Sequence, residues 1–321
     1  MGQQGAAAPT GIDFIKGHGT LNDFVILPDD NAELDLDESL VRALCDRRAG
    51  VGADGVLRIA TAGALVRQRV LADLPSDVHE SDWFMDYRNA DGSIAEMCGN
   101  GVRVFAHALV ATGRTGHGVV RVGTRAGIRP ATILSNAGDR AVVRVEMGEP
   151  ALLGVSSVRW AEHTFAGVAV DMGNPHLACV VPGLEDDALA RLPVHEQPVY
   201  DSDFFPDGVN IEVATPVVDG RVSMRVHERG AGETMSCGTG IVATAVAALA
   251  DSGRATGEVT VAVPGGEVAV QLSDGGSTLT GPSALVAHGM FRHTQPQSTG
   301  DRPLVVRGRD RAFCEMMAVN D

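Results

Sequence analysis

The chain has 321 residues, 44% of them apolar and 21% charged, which allows a substantial core and suits two domains of ordinary size. Its formal charge of -15 argues against nucleic acid or an anionic lipid surface as a main partner, because both demand a basic face. Residues 1–10 hold no basic side chain and no apolar core, so no signal or transit peptide is expected there, and the most apolar run, 241–250, is roughly half a bilayer span.

In chain order, residues 39–47 read as a helix containing Cys45, and 82–88 as a strand closed by the turn residues Asn89-Ala90-Asp91-Gly92. A short loop leads to Cys98-Gly99-Asn100-Gly101. A helix is expected over 101–112, closing at Gly113, followed by strands at 119–122 and 128–134 joined through Thr124-Arg125-Ala126-Gly127. A linker between halves is expected at 146–153, where Gly148, Pro150 and Gly154 interrupt the chain. Cys179 sits in the apolar run 177–181.

The second half repeats this order. A strand is expected at 221–227, a loop at 228–236, then Cys237-Gly238-Thr239-Gly240 opening a helix over 240–250 with Gly253 beyond it. Strands at 258–263 and 268–272 follow, joined through Pro264-Gly265-Gly266. Matching element order at near-constant offset indicates duplication. Both post-cysteine helices are apolar nearly all round, so each should be buried on most sides. A curved, mostly antiparallel sheet wrapped around a central helix, once per half, would do this. The expected fold is therefore α+β with two pseudo-symmetric domains, 11–147 and 148–276. Residues 277–291 are a possible return strand to the first domain, and 292–321 an extension.

The five cysteines show no Cys-x-x-Cys and no Cys/His pairing at zinc-ligand spacing, so reduced thiols in a cytoplasmic protein are expected, with no metal. Cys45 and Cys179 lack glycine neighbours and read as packed residues, and Cys314 has no evident partner. Lys16 is the only lysine among 26 basic residues, hence the only possible Schiff-base residue.

The first amides of a helix are unsatisfied and carry roughly half a positive charge, which lowers the pKa of a thiol placed there and favours an anion. Glycines at 99, 101, 238 and 240 would let a ligand approach those amides. Two such ends facing each other would bind a carboxylate and stabilise the charge that builds on it when the adjacent carbon loses its proton. Inverting that carbon needs a base on one face and an acid on the other, so one cysteine starts as thiolate and the other as thiol.

Further motifs run through residues 12–290. They are Lys16-Gly17-His18-Gly19 with Asn22-Asp23-Phe24, then Gly50-Val51-Gly52-Ala53-Asp54-Gly55, Asp86 to Ser93, and Met97 to Gly101. The second half has Gly173-Asn174-Pro175-His176, Gly208-Val209-Asn210, His227-Glu228-Arg229-Gly230 and Cys237 to Gly240. In these the chain resembles the diaminopimelate epimerase family, pyridoxal-independent enzymes of bacterial lysine and peptidoglycan precursor synthesis that interconvert LL- and meso-2,6-diaminopimelate. The resemblance implies Cys98 and Cys237 as the two acid/base residues, with the amides of Gly99, Asn100, Gly238 and Thr239 holding the reacting α-carboxylate. It also places Asn22 and Glu228 by the reacting ammonium group, and Asn89, Asn174, Asn210 and Arg229 at the distal amino-acid end. No cofactor and a homodimer are implied as well. His18 and His176 read as structural, and Lys16 as a strand-end charge.

Two departures stand out: Leu21 occupies a place where many members have Gly, and Gly55 one where some have a substrate-contacting Gln. A proline or hydroxyproline racemase is the nearest alternative, but it usually has His where Asn100 stands, and a cyclic imino acid has no second zwitterion for the distal group. A noncatalytic anion-binding protein would leave both thiols dispensable and finds no phosphate-loop signature here.

Overall fold

A computed structural model describes residues 11–292; the tail 1–10 and the extension from 293 onward, with Cys314, lie outside the described residues. The first half contains β1 (Gly11–Gly19), β2 (Asn22–Pro28), α1 (Glu38–Cys45), β3 (Gly55–Thr61), α2 (Ala62–Arg67), β4 (Trp83–Asn89), α3 (Gly99–Ala111), β5 (Val119–Thr124), β6 (Gly127–Asn136) and β7 (Arg140–Gly148). The second contains β8 (Ala151–Trp160), β9 (His163–Asp171), β10 (Pro175–Val180), α4 (Asp186–Arg191), β11 (Val199–Tyr200), β12 (Asn210–Ala214), β13 (Arg221–Glu228), β14 (Gly232–Thr234), α5 (Gly238–Asp251), β15 (Gly257–Val263) and β16 (Gly266–Ser273). A long final strand, β17 (Gly276–Arg292), follows.

Pairing is mostly antiparallel, with parallel contacts at β2–β3, β4–β5, β10–β12 and β13–β15. From β1 the ladder runs through β2, β3, β4, β5, β6 and β7 to β17, which returns to β1. Helix α3 contacts strands around this circuit, including β1, β6, β7 and β17. Helix α5 meets β9, β10, β12, β13, β15 and β16 in the same manner. The possible return strand at 277–291 lies in β17, which leaves β16, runs beside β7 and then beside β1.

The apolar helix sequences explain this arrangement. Val102, Val104, Phe105 and Leu109 of α3 and Ile241, Val242, Ala245 and Leu249 of α5 are all buried in one continuous cluster. Each large side chain so removed from water contributes about 1.5–3 kcal/mol. Arg103 and His107 of α3 are also fully buried, so they must find polar partners inside. His107 does so through Ser283 Oγ and the Gly138 carbonyl, both at 3.0 Å.

Several local expectations change. Both helices begin two residues earlier than expected, because each cysteine is itself the extended cap residue and its first glycine already belongs to the helix. The expected linker 146–153 is largely strand: β7 runs to Gly148 and β8 starts at Ala151, leaving only Glu149 and Pro150 between them. The loop 228–236 contains the short strand β14, paired with β13. Lys16 is not a strand-end charge but lies inside β1, where it pairs with Asp23 at 2.6 Å and bonds the Gly52 carbonyl.

The β1–β2 connection is a two-residue hairpin loop, Thr20-Leu21, with φ of 50° and 60°. Such turns favour Asn-Gly, so two larger residues here cost on the order of 1 kcal/mol each. The loop is seated against the second half: a Cβ on Gly265 would fall 1.7 Å from the Thr20 carbonyl oxygen.

Candidate active site

The two cysteine-capped helix ends abut. A Cβ on Gly238 would fall 2.9 Å from the Gly99 Cα and 3.0 Å from the Asn100 nitrogen, so glycine is required for this approach. Between the two halves opens a cavity of about 1160 Å³. From the first half Asn22, Asn89, Cys98 and Gly99 line it, and from the second Asn174, Asn210, Glu228, Arg229, Cys237, Gly238 and Thr239. Asn100 sits behind the wall, fully buried, with its backbone nitrogen against Gly238.

The thiols share a setting but differ in partners. Cys98 Sγ accepts from the Gly101 amide at 3.3 Å and lies 3.7 Å from Asn22 Oδ1. Cys237 makes no capping bond and lies 3.5 Å from Thr239 Oγ1. The lowered thiol pKa expected from the helix ends is reversed. Burial pushes Cys98 up to about 12, the Gly101 amide and the nearby Arg103 charge pulling down and Glu228 pushing up. Burial likewise lifts Cys237 well above the usual thiol range, and the Glu228 and Glu212 carboxylates lift it further. Desolvating a thiolate outweighs the partial charges of the amides.

Around Cys98, hydrogen-bond logic orients Asn22. Its Nδ2 donates to Asp54 Oδ2 at 2.8 Å, and its Oδ1 accepts from Asn100 Nδ2 at 3.3 Å. An ionised carboxylate only accepts, so the Asn22 carbonyl oxygen is turned toward the thiol. Arg47 holds Asp54 in turn at 2.7 Å, and with Lys16 it keeps the Asp23 carboxyl down to about 2 against the opposing effect of burial. Around Cys237, burial raises the Glu228 carboxyl, whose oxygen accepts from Thr234 Oγ1.

The residues expected at the distal end are likewise held. Asn89 Nδ2 donates to Ser93 Oγ at 2.9 Å, while Asn210 Oδ1 accepts the Arg229 amide at 2.9 Å. The Arg229 side chain donates to the Asp207 carbonyl at 2.8 Å and packs over Gly208. Asn174 Oδ1 lies 3.2 Å from His176 Nε2, and His176 Nδ1 lies 2.7 Å from Glu212. His176 is thus a buried support, and His18 borders the β1–β2 loop, 3.4 Å from the Leu21 amide. Cys45 and Cys179 are packed in separate clusters. At Gly55 a Cβ would fall 2.5 Å from the Arg88 carbonyl and 2.7 Å from the Tyr87 ring, so this chain has no room for a side chain there.

Sequence reasoning passed over Asp54, Glu212, Ser236 and Arg103. A usable signal existed for the last: one arginine in a helix that is otherwise mostly apolar implies a buried cation with a purpose. Glu212 carries no comparable signal; it shows only as a fully buried carboxylate against Gly240.

The diaminopimelate epimerase family model matches residues 14–153 and 168–286. The chain is 58% identical over 276 residues to the diaminopimelate epimerase of Mycolicibacterium vanbaalenii, covering 86% of this chain and 96% of that one. It is 57% identical over 278 residues to the diaminopimelate epimerase of Corynebacterium aurimucosum, covering 86% and 98%. Among solved structures, a hydroxyproline epimerase from Agrobacterium vitis shares the fold with a TM-score of 0.59 at 16% identity, over 89% of this chain and 94% of that one. A predicted epimerase from Pseudomonas aeruginosa matches with a TM-score of 0.59 at 16% identity, over 88% and 100%. The likeness at low identity shows a sheet-rich fold common to several epimerases, and the two long, highly identical matches decide the narrower question: this chain belongs to the diaminopimelate epimerase family.

Proposed function

We propose that this protein is an isomerase that interconverts LL-2,6-diaminopimelate and meso-2,6-diaminopimelate by moving a proton at one α-carbon between two cysteines. The observation that carries this reading is the meeting of two helix ends, each with a cysteine as its cap residue, at Gly99 and Gly238 on one cavity. The substrate α-carboxylate sits against the amides of Gly99, Asn100, Gly238 and Thr239, with its α-carbon between Cys98 and Cys237. Asn22 and Glu228 receive the neighbouring ammonium, whose positive charge offsets the cost of a buried thiolate. The thiolate of one cysteine then takes the α-proton, and the electron pair is delocalised into the carboxylate, where the amides stabilise the added charge. The thiol of the other cysteine delivers its proton to the opposite face, so configuration inverts and the two thiols exchange protonation states.

Asn89, Asn174, Asn210 and Arg229 hold the distal zwitterion, the arginine on its carboxylate and the asparagine oxygens on its ammonium. A cyclic imino acid would leave all four without a partner, which disfavours a proline racemase. Lys16, tied to Asp23 and the Gly52 carbonyl, does not line the cavity, so no lysine stands where a pyridoxal Schiff base would need one. The architecture we infer is two pseudo-symmetric halves, each a curved sheet wrapped around its cysteine-bearing helix. Among the described residues, no helix is long and apolar enough to cross a membrane. A cytoplasmic setting, which keeps both thiols reduced, and a homodimeric assembly complete the proposal; sedimentation velocity tests the latter.

The deciding experiment is incubation with LL-diaminopimelate in deuterated water without pyridoxal phosphate. Solvent deuterium should enter one α-carbon while meso product accumulates. Proline run in parallel separates the racemase reading, and exchange with neither substrate refutes the enzyme.

A further inference from the structure

The two cysteine loops are joined by a buried chain of polar side chains that the proton transfer itself does not use. Arg103 is enclosed between Gly19 and Gly281: a Cβ on either would fall 2.9 and 3.4 Å, respectively, from its guanidinium. Its Nε donates to the Pro282 carbonyl at 3.3 Å and its Nη2 to Thr20 Oγ1 at 3.2 Å. Thr20 Oγ1 lies 2.8 Å from Ser236 Oγ, and Asn100 Nδ2 shares its two hydrogens among Ser236 Oγ and the Ser236 carbonyl, both at 3.1 Å, and the Asn22 oxygen at 3.3 Å. The chain therefore runs from α3, through the β1–β2 loop, to the residue before Cys237.

The direction of these bonds follows from what each group can do. A guanidinium only donates, so Thr20 Oγ1 accepts from Arg103 and keeps its own hydrogen to give. Asn100 Nδ2 likewise donates to Ser236 Oγ. If Ser236 donated to Thr20, the Thr20 hydrogen would be stranded without an acceptor, because Thr20 lies off the cavity wall, whereas Ser236, equally buried at 1% exposure, lines it. Stranding a buried donor is costly. If Thr20 donates to Ser236 instead, the leftover hydrogen belongs to Ser236, which borders the cavity beside Cys237 and Gly238. Among the described residues, Ser236 Oγ has no other partner to receive it.

We propose that Ser236 is a further substrate-binding residue, its hydroxyl donating to the α-carboxylate between the helix ends, and that Thr20 and Arg103 are the positioning residues that aim it. This rests on the two-thiol reading above. The carboxylate gains charge when the α-proton leaves, so the bond strengthens at that moment and its loss falls on kcat as well as KM.

The test begins with the wild-type enzyme, whose failure to exchange deuterium would overturn the epimerase reading itself. With that activity in hand, Ser236→Ala should lower kcat/KM for LL-diaminopimelate by about 10- to 100-fold, the range for a hydrogen bond to a charged group. Thr20→Ala should lose about 3- to 10-fold and Thr20→Ser recover most of it, a rescue available even if Ser236→Ala folds poorly. The double variant Thr20→Ala/Ser236→Ala should be no worse than Ser236→Ala, because Thr20 acts only through that hydroxyl. A folded Ser236→Ala enzyme within twofold of wild type overturns the binding role. Additive losses in the double variant, or no recovery by Thr20→Ser, overturn the positioning role.

Discussion

Helices α3 and α5 present the same thiol at the same kind of helix end, and the Glu228 carboxylate acts on both, yet the rest of their surroundings differ in charge. Under Cys98 lie the Arg103 cation and a capping amide, with the Asn22 carbonyl oxygen beside the sulfur. Around Cys237 lie two carboxylates, Glu228 and Glu212, and no capping bond. A symmetric pair of thiols would suit a substrate with one charge pattern on both sides. Unequal surroundings let one cysteine give up its proton more readily than the other, while the two abutting helix ends still hold both cysteines on one cavity. Matching helix ends fix the geometry, whereas acidity is set by neighbours that the two ends do not share.

The largest expected effect tests whether the two ends are equally necessary. Cys98→Ala and Cys237→Ala should each reduce epimerisation by at least about 100- to 10,000-fold, the reach of a positioned acid or base, with circular dichroism unchanged. Activity retained by either variant breaks the two-base comparison. Next comes the contact between the ends: Gly238→Ala forces a methyl against the Gly99 Cα at 2.9 Å and should cost about 100-fold in kcat. Gly101→Ala, whose nearest contact would be the Cys98 Cβ at 3.3 Å, should cost several-fold less; steady-state kinetics on both reads the difference.

A smaller effect is expected from Asp54→Asn, which no longer dictates which way the Asn22 amide faces. A loss of roughly tenfold in kcat/KM, in line with one misdirected hydrogen bond to a charged group, should appear without a change in melting temperature. The charge asymmetry itself is read by alkylation: with rising pH, iodoacetamide should modify Cys98 before Cys237, and peptide mass spectrometry gives the order.

The smallest effect is on alkaline stability. Burial raises the folded-state pKa of Cys45 and of Cys98 from 9.0 to about 12, so their contribution is complete below pH 9 and is lost as pH climbs from there toward 12. Melting temperature should therefore fall between pH 9 and 11, and more gently in Cys45→Ala, whose lost thiol can no longer ionise.

Much of this was legible in the sequence, for identifiable reasons. The repeat of Cys-Gly-x-Gly before an all-apolar helix carries both the duplication and the pair of thiols, because helix burial and helix-end chemistry are local properties. The strand at 221–227 was readable from the alternation of Val222, Met224 and Val226, and β13 spans Arg221–Glu228. The linker at 146–153 was misread because Gly and Pro there mark a turn two residues long between strands, not a boundary in the ladder. Ser236 and Thr20 carried no signal, since a hydroxyl among apolar residues reads the same whether its partner is water or a buried guanidinium.

The sequence by itself determined the family, the two thiols proposed to react and the apolar helices that present them, since each depends on residue type at short spacing. Only the tertiary structure decided the acidity of those thiols. Burial depth, the Arg103 and Glu228 charges, and the side of Asn22 that faces the sulfur come from residues far apart in the chain, as Cys98 and Glu228 are, and desolvation overrode the helix-end charge that the local pattern predicted.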